Sequence, residues 1–105
     1  MLLERTYFKQ KDFRIHIDSP LAYKGFRDSF VKILDENYTL APLIILCIGT
    51  DRSTGDALGP LVGERLHKVC QYAQVMGNLK EPVHAGNLVE ILDDVKSVHK
   101  NPFII

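Results

Sequence analysis

An unbroken run of apolar residues, Leu43–Ile48, lies near the middle of the chain between Pro42 and Gly49. Runs of this kind, rich in branched side chains, are typical of strands buried on both faces, as in parallel sheets. Polar or small residues follow at positions 50–55, and apolar residues then recur every three or four positions. These positions are Leu58, Val62, Leu66, Val69 and Ala73. The pattern predicts a strand, a polar loop and a helix, with Pro60 near the helix start.

The chain before this unit has two further patterns. Alternation of apolar and polar residues over Phe13–Asp18 predicts a half-buried strand. Ser19-Pro20 then has the residue types that begin a helix, and the helical spacing of apolar residues continues to about Asn37. The apolar positions of this helix are Ala22, Phe26, Phe30, Ile33 and Leu34. Such a stripe is expected to pack against a sheet.

The chain after this unit continues the alternation of strands and helices. Residues 73–77 are a short strand candidate, and a loop rich in Gly, Pro and polar residues follows. Asn87 and Glu90 have the spacing of a capping box, which predicts a third helix. Phe103–Ile105 begins another apolar run. The order β-α-β-α-β-α-β predicts a three-layer, doubly wound α/β fold with a mostly parallel sheet.

Composition excludes several classes of protein. Thirteen Lys and Arg balance thirteen Asp and Glu, so the chain lacks the basic surface that nucleic acids or anionic membranes require. No apolar run approaches the ~18 residues of a spanning helix, and the first residues lack the order of a signal peptide. Cys47 and Cys70 both fall on predicted apolar positions, which indicates buried thiols in a cytosolic protein.

Asp51 and Asp56 are the first candidates for chemistry, because both follow the central strand. In open α/β sheets, ligands bind outside the carboxyl ends of the strands. Gly49 opens this loop, and the density of glycine from 49 to 63 is suited to close backbone approach. A helix cap or a charge favoured by the helix dipole is the alternative interpretation of Asp56. The sequence lacks both the lysine of a phosphate loop and the glycine spacing of a dinucleotide site.

The loop from Gly77 to Gly86 is the second candidate. In a doubly wound sheet it also emerges at the carboxyl end of a strand, so Glu81 and His84 would face Asp56 across the rim. His84 remains open between a site residue and a residue that packs the loop. The other three histidines, His16, His67 and His99, are expected to be solvated.

The segment Ile48–Gly63, IGTDRSTGDALGPLVG, closely resembles the YyaC-type sporulation proteins of spore-forming bacteria. Gly55–Val62 is similar to the matching segment of the germination protease, which degrades small acid-soluble spore proteins. More distantly, the order strand, glycine, loop, acid and glycine resembles the opening of the hydrogenase maturation endopeptidases. Where the hydrogenase maturation endopeptidases usually have Gly-Asn after the strand, this chain has Gly49-Thr50. The resemblance to the YyaC type covers most of the chain from about Leu21, including a similar Glu-Pro-Val-His segment at 81–84.

This resemblance implies a sporulation-associated peptidase in which Asp56 works with a second aspartate on a later strand to activate water. Two nearby carboxylates cannot both ionise freely, so one can act as base while the other holds a proton. Asp56 and His84 are then the catalytic candidates, and Gly49, Asp51 and Glu81 are candidates for contacts with a peptide or protein substrate. The alternative is a non-catalytic sporulation protein that uses the same rim for peptide binding or regulation.

The resemblance does not decide whether a metal binds, and it does not determine the oligomeric state. Corresponding acids bind nickel in the hydrogenase maturation relatives, so Asp56 is the candidate ligand if a divalent metal binds. No other cofactor is expected. Neither nucleic acid nor a membrane is an expected partner. A YyaC-type protein would work in the cytoplasm of the forespore or the mother cell.

The final run, Phe103–Ile105, has the form of the first half of a buried strand. In the relatives this strand continues to an aspartate, the expected partner of Asp56, and further elements follow. We therefore expect residues 1–105 to form a single α/β domain of the phosphorylase/hydrolase-like type that is incomplete at its C-terminal end, the N-terminal half of a longer family domain. Such a chain would be inactive as a peptidase and marginally stable.

Overall fold

The computed structural model describes residues 12–105 and shows an α/β protein with a small, open parallel sheet. The chain divides into two compact units, one up to Thr39 and one from Leu40. The first unit contains helix α1 (Ala22–Asn37). The elements of the second unit are β1 (Leu43–Leu46), a 3₁₀ helix (Thr54–Asp56), α2 (Leu58–Val69), β2 (Gln74–Met76), α3 (Leu88–Val98) and β3 (Phe103–Ile104).

Helix α1 ends where the sequence predicts, and the strand predicted before it is wrong. Residues 13–18 join no strand ladder within the described part of the chain. Local bonds occupy this backbone instead: the Ser19 N–H donates to the His16 carbonyl at 3.0 Å, and the Asp18 N–H donates to His16 Nδ1 at 3.1 Å. Such local bonds compete with a ladder, so alternation alone does not make a strand. The helix also begins at Ala22, after the predicted Ser19-Pro20.

An aromatic row links α1 to the residues before it. The Phe26 ring contacts Phe13 edge-on at 5.3 Å between centroids and stacks on Phe30 at 6.0 Å. Ile15 lies over Gly25, where a Cβ would come 3.0 Å from Ile15 Cδ1. Two residues of the predicted apolar stripe, Phe26 and Phe30, therefore pack within the first unit.

The sheet of the second unit has the strand order β2-β1-β3, with both pairs parallel. Ile44 pairs with Gln74 on one side and with Ile104 on the other, and it is 1% exposed. The central position of this strand and the parallel sheet are thereby confirmed, although Ile44 is the one buried residue among Leu43–Leu46. Helix α2 connects β1 to β2, and α3 connects β2 to β3. Beyond β1 the backbone continues beside Val83, through an isolated parallel bridge to Ile48 and a bond from the Gly49 N–H to the Val83 carbonyl at 2.8 Å.

Helix α2 does not bury the apolar face that the sequence predicts. Leu58 and Val69 are 72% and 62% exposed, whereas Pro60 and Gly63 are buried. A Cβ on Gly59 would overlap the Ile48 carbonyl, which shows how closely the helix backbone lies against the residues that follow β1. Hydrophobic periodicity does not detect such a face, because it is built from residues with little or no side chain. Pro60 lies in the first turn, as predicted.

The core of the second unit is small. Its buried apolar residues are Ile44, Cys47, Val83 and Val95. Both cysteines are free thiols, and burial raises the pKa of the Cys47 thiol above its ordinary value. Within residues 12–105, every helix falls short of the length and apolar character needed to cross a membrane.

Candidate functional site

A cleft of about 380 Å³ lies at the carboxyl end of β1. One wall is the loop that follows β1, and the other is the loop that follows Val83. The lining residues are Ile48, Gly49, Thr50, Arg52, Asp56, His84, Ala85 and Gly86. Because β1 and the Val83 segment run parallel, both loops leave the sheet at the same edge.

Asp56 projects from the end of the 3₁₀ helix and is exposed. Its carboxylate accepts a hydrogen bond from the Ser53 hydroxyl at 3.2 Å, and its backbone carbonyl accepts one from the Thr50 N–H at 2.9 Å. The N-cap of α2 is Ala57, and no side chain caps that helix end. The Asp56 carboxylate is therefore not a helix cap, and apart from the Ser53 bond it is available to a ligand.

Gly49 lets this loop close on the sheet. A Cβ at position 49 would overlap the Asp56 carbonyl and lie 2.7 Å from Pro60 Cδ. Substitution by any larger residue would therefore push the Asp56 turn away from β1. The position acts on the site through the placement of Asp56, although it also lines the cleft.

His84 lines the opposite wall, and Asn87 holds the backbone that carries it. The Asn87 side chain accepts a bond from the His84 N–H at 2.8 Å and donates one to the Pro82 carbonyl at 2.9 Å. The Leu88 N–H donates to the His84 carbonyl at 2.9 Å. Asn87 occupies the N-cap position of α3, but its side chain makes no bond to that helix. The predicted capping box with Glu90 is therefore wrong, because the side chain stabilises the preceding loop.

The structure brings together three of the five residues selected from the sequence. Gly49, Asp56 and His84 line the cleft. Asp51 is exposed in the same loop but is not part of the lining. Glu81 lines a neighbouring cavity of about 470 Å³, which shares only His84 with the cleft. Contact of Asp51 or Glu81 with a substrate therefore remains a prediction without support from the shape of the cleft.

Sequence reasoning missed Arg52 and Asn87. Arg52 places a cation in the lining of the same cleft as the Asp56 carboxylate. The available signal was its position in the polar loop directly after Thr50 and Asp51, where side chains reach the rim of the sheet. A guanidinium group is suited to bind carboxylates, and the backbone around Arg52 is held by its N–H bond to Thr50 Oγ1 at 3.4 Å.

The cleft offers an acid, an imidazole and a guanidinium group to a ligand. A carboxylate can accept a proton from water, and an imidazole or guanidinium can donate hydrogen bonds to a carbonyl oxygen. Within residues 12–105, no three His, Cys, Asp or Glu side chains converge as metal ligands would. Catalytic zinc sites use three protein ligands, so the described residues do not fit that arrangement.

Comparisons with known proteins agree with the resemblance in the glycine-rich segment. Residues 14–105 match the model of a family described as "Protein of unknown function (DUF1256)". The "Uncharacterized protein YyaC" of Bacillus subtilis (strain 168) is 51% identical over 65 residues, which are 61% of this chain. The matched segment is 32% of that relative's length, so the chain corresponds to about a third of it. No solved structure matches the chain.

Proposed function

Because this chain belongs to the DUF1256 family and is a YyaC-type protein, we propose that its cleft binds a peptide segment of a protein in a sporulation-associated, germination-protease type of hydrolysis. The observation that carries this proposal is the common cleft lined by Asp56 and His84. The resemblance of Gly55–Val62 to the germination protease supports the choice of a peptide. The proposed setting is the forespore or mother cell of a spore-forming bacterium.

In the proposed reaction, Asp56 accepts a proton from water while the water oxygen bonds to the peptide carbonyl carbon. A second carboxylic acid then donates its proton to the amide nitrogen as the carbon–nitrogen bond breaks. The products are a carboxylic acid and an amine, and transfer of the proton from Asp56 to the second carboxylate restores the starting state. Paired carboxylates of unequal pKa values suit these two roles.

The second carboxylic acid is not among the residues that line the described cleft, where Asp56 is the single acid. In the proposed doubly wound, three-layer domain it comes from a strand beside β1. Strand β3 has this position, because it pairs directly with β1 and the Leu46 N–H donates to the Ile105 carbonyl at 2.8 Å. A cleft in which Asp56 is the single acid is therefore proposed to bind a peptide without hydrolysing it.

A second candidate function is peptide binding or regulation without any catalysis. The presence of a single carboxylate in the cleft favours this function, as does Arg52, which suits the carboxylate of an acidic side chain or a chain terminus. Both candidates require peptide binding at the cleft. They differ in whether hydrolysis occurs once a second acid is supplied.

The test is binding and hydrolysis of fluorescein-labelled casein, an unfolded protein, by the 105-residue chain. Fluorescence anisotropy is expected to show binding, and the loss of a charge-assisted bond in Asp56→Asn should weaken it about tenfold. Asp51→Asn is the matched control, because Asp51 lies in the same loop and outside the lining.

Absence of binding by the wild-type chain would reject both candidate functions. Cleavage of casein that is lost in Asp56→Asn would show that one carboxylate is sufficient, against the proposed pairing. Equal weakening by Asp51→Asn and Asp56→Asn would move the binding surface out of the cleft.

A further inference from the structure

The His84 imidazole ring lies directly against Gly86. The Gly86 N–H donates a hydrogen bond to His84 Nδ1 at 3.0 Å. A Cβ on Gly86 would lie 3.0 Å from His84 Cε1 and 3.1 Å from Nδ1, closer than ordinary van der Waals contact. A side chain at residue 86 would therefore require the His84 ring to shift by a few tenths of an ångström.

This contact fixes which ring nitrogen carries the proton. A backbone amide only donates, so Nδ1 must present its lone pair to Gly86. A neutral imidazole has one proton, which must then be on Nε2. Nε2 makes no hydrogen bond to another of the described residues, and His84 is half-buried in the cleft wall. Its available polar group is therefore an N–H donor.

We propose that Gly86 and Asn87 are positioning residues that hold His84 as an Nε2–H donor to a peptide carbonyl oxygen, so that His84 is not a general base. The identity of the ligand rests on the proposed function, whereas the state of the ring does not. Asn87 contributes by holding the His84 main chain through its bond to the His84 N–H. Gly86 contributes the bond that selects the tautomer.

The donor role divides the work of the cleft between its two walls. A general base at His84 would need an unprotonated Nε2. The proton of the neutral ring would then have to be on Nδ1, toward which the Gly86 N–H already points. A donor at the carbonyl oxygen instead stabilises the negative charge that develops there when the carbonyl carbon is attacked. Acceptance of the water proton is then left to Asp56 on the opposite wall.

The tautomer can be measured by long-range ¹H–¹⁵N correlation spectra of ¹⁵N-histidine-labelled protein at about pH 8.5, well above the ordinary imidazole pKa of about 6.5. The chain has four histidines, and His84 is assigned by the signals missing from His84→Gln. We expect a protonated Nε2 and an unprotonated Nδ1 for His84, with nitrogen shifts that are not averaged between the two tautomers. Exposed His67 is the internal reference for an averaged ring.

Gly86→Ala should displace the ring and bring the two His84 nitrogen shifts toward those of His67. Asn87→Ala, which frees the loop without crowding the ring, should act in the same direction. Gly55→Ala is the matched control, because a Cβ there meets no atom within 4 Å. A His84 spectrum that is averaged in the wild type, or that stays unchanged in both variants, would overturn the assignment.

Binding of fluorescein-labelled casein tests the donor role. Gln places an N–H donor near the position of Nε2 and is not a base, so His84→Gln should bind within about twofold of wild type, and His84→Ala about three- to tenfold more weakly. Equal weakening in both variants would overturn the donor role. If the wild type binds no casein, the proposed function fails and the ligand assignment fails with it, while the spectra still decide the tautomer.

Discussion

The carbonyl oxygen of Gly77 lies where a Cβ of Gly63 would have to be placed. Gly77 itself adopts φ of +93°, a conformation that favours glycine, and a Cβ on it would overlap the Cys47 carbonyl. Helix α2, the turn after β2 and the end of β1 therefore meet through two residues without side chains. This close approach sets the distance between the helix and the sheet edge that carries the cleft.

The first prediction is that Gly63→Ala destabilises the protein although alanine favours helices. The new methyl group meets backbone that cannot rotate away, and overpacking of this kind costs about 1–3 kcal/mol. Gly55→Ala, where the space is open, should change the free energy of unfolding by less than about 0.5 kcal/mol. Urea denaturation followed by circular dichroism measures both. Equal midpoints for the two variants would show that α2 does not dock this closely.

A second prediction is that Asp56→Asn leaves stability nearly unchanged. The backbone of Asp56 makes the two bonds that hold the turn. Its carbonyl accepts a hydrogen bond from the Thr50 N–H, and its N–H donates one to the Ser53 carbonyl. The exposed side chain contributes one bond from the Ser53 hydroxyl, which an asparagine oxygen can also accept. The change in unfolding free energy should stay within about 0.5 kcal/mol. A larger loss of stability would mean that any change in casein binding reflects misfolding.

The third prediction concerns the different accessibility of the two thiols. Cys47 is 7% exposed and its raised pKa keeps it protonated, whereas Cys70 is half-buried just after α2. Because the thiolate is the reactive form, a disulfide reagent should modify Cys70 first and Cys47 only when the protein opens. Titration in urea without reductant should find two free thiols. Fewer than two would reveal a disulfide and contradict the free cysteines of the structure.

The raised pKa of Cys47 also predicts a pH dependence. The folded state retains this proton to higher pH than the unfolded state, so the stability gained from the buried neutral thiol is complete below the ordinary thiol pKa of about 8.5. Above that pH the unfolded chain ionises first, and stability falls as pH rises. Cys47→Ala should lose less stability between about pH 8 and 10 than wild type. Parallel curves would exclude Cys47 as the cause.

The parts of the fold that the sequence predicts well are those with a strong local signal. The run Leu43–Ile48 contains the central strand, and the helix that ends at Asn37 is observed to that residue. The placement of Asp56 and His84 on one cleft also agrees with the expectation that both loops leave the same sheet edge. That expectation needed only the rule for parallel strands and the order of the elements.

The failures come from contacts that no local pattern records. The Phe13–Asp18 alternation lacks a neighbouring strand within the described residues, and local bonds to His16 replace a ladder. The buried face of α2 centres on Gly63, where the helix backbone contacts the Gly77 carbonyl directly and no side chain is buried. Asn87 has the spacing of a cap, but its amide bonds to the preceding loop. The face of α2 and the amide of Asn87 depend on partners that offer only backbone atoms, whereas Asp18 and Ser19 bond to His16 within the same segment.

Strand β3 has an outer side that no strand covers among the residues that the structure describes. Its bonds to the β1 side come from the N–H groups of Phe103 and Ile105, at 2.8 and 2.9 Å. The N–H groups of a strand alternate in direction, so Ile104, between them, directs its N–H away from β1. No charge or proline lies within β3 to prevent pairing with another chain.

The last prediction is that the 105-residue chain self-associates through this edge. Several apolar side chains of the second unit are also exposed, among them Leu40 at 91% and Tyr72 at 93%, which favours association once two edges meet. Ile104→Pro should reduce the associated fraction in sedimentation velocity, because proline removes the outward N–H and keeps the bonds of Phe103 and Ile105. Phe103→Pro is the matched control, since it removes a bond to the Pro42 carbonyl and should destabilise the sheet. The prediction would be contradicted if the wild-type chain stays monomeric and melts cooperatively at about 100 μM. Equal association of the wild type and Ile104→Pro would show that the contact lies outside the β3 edge.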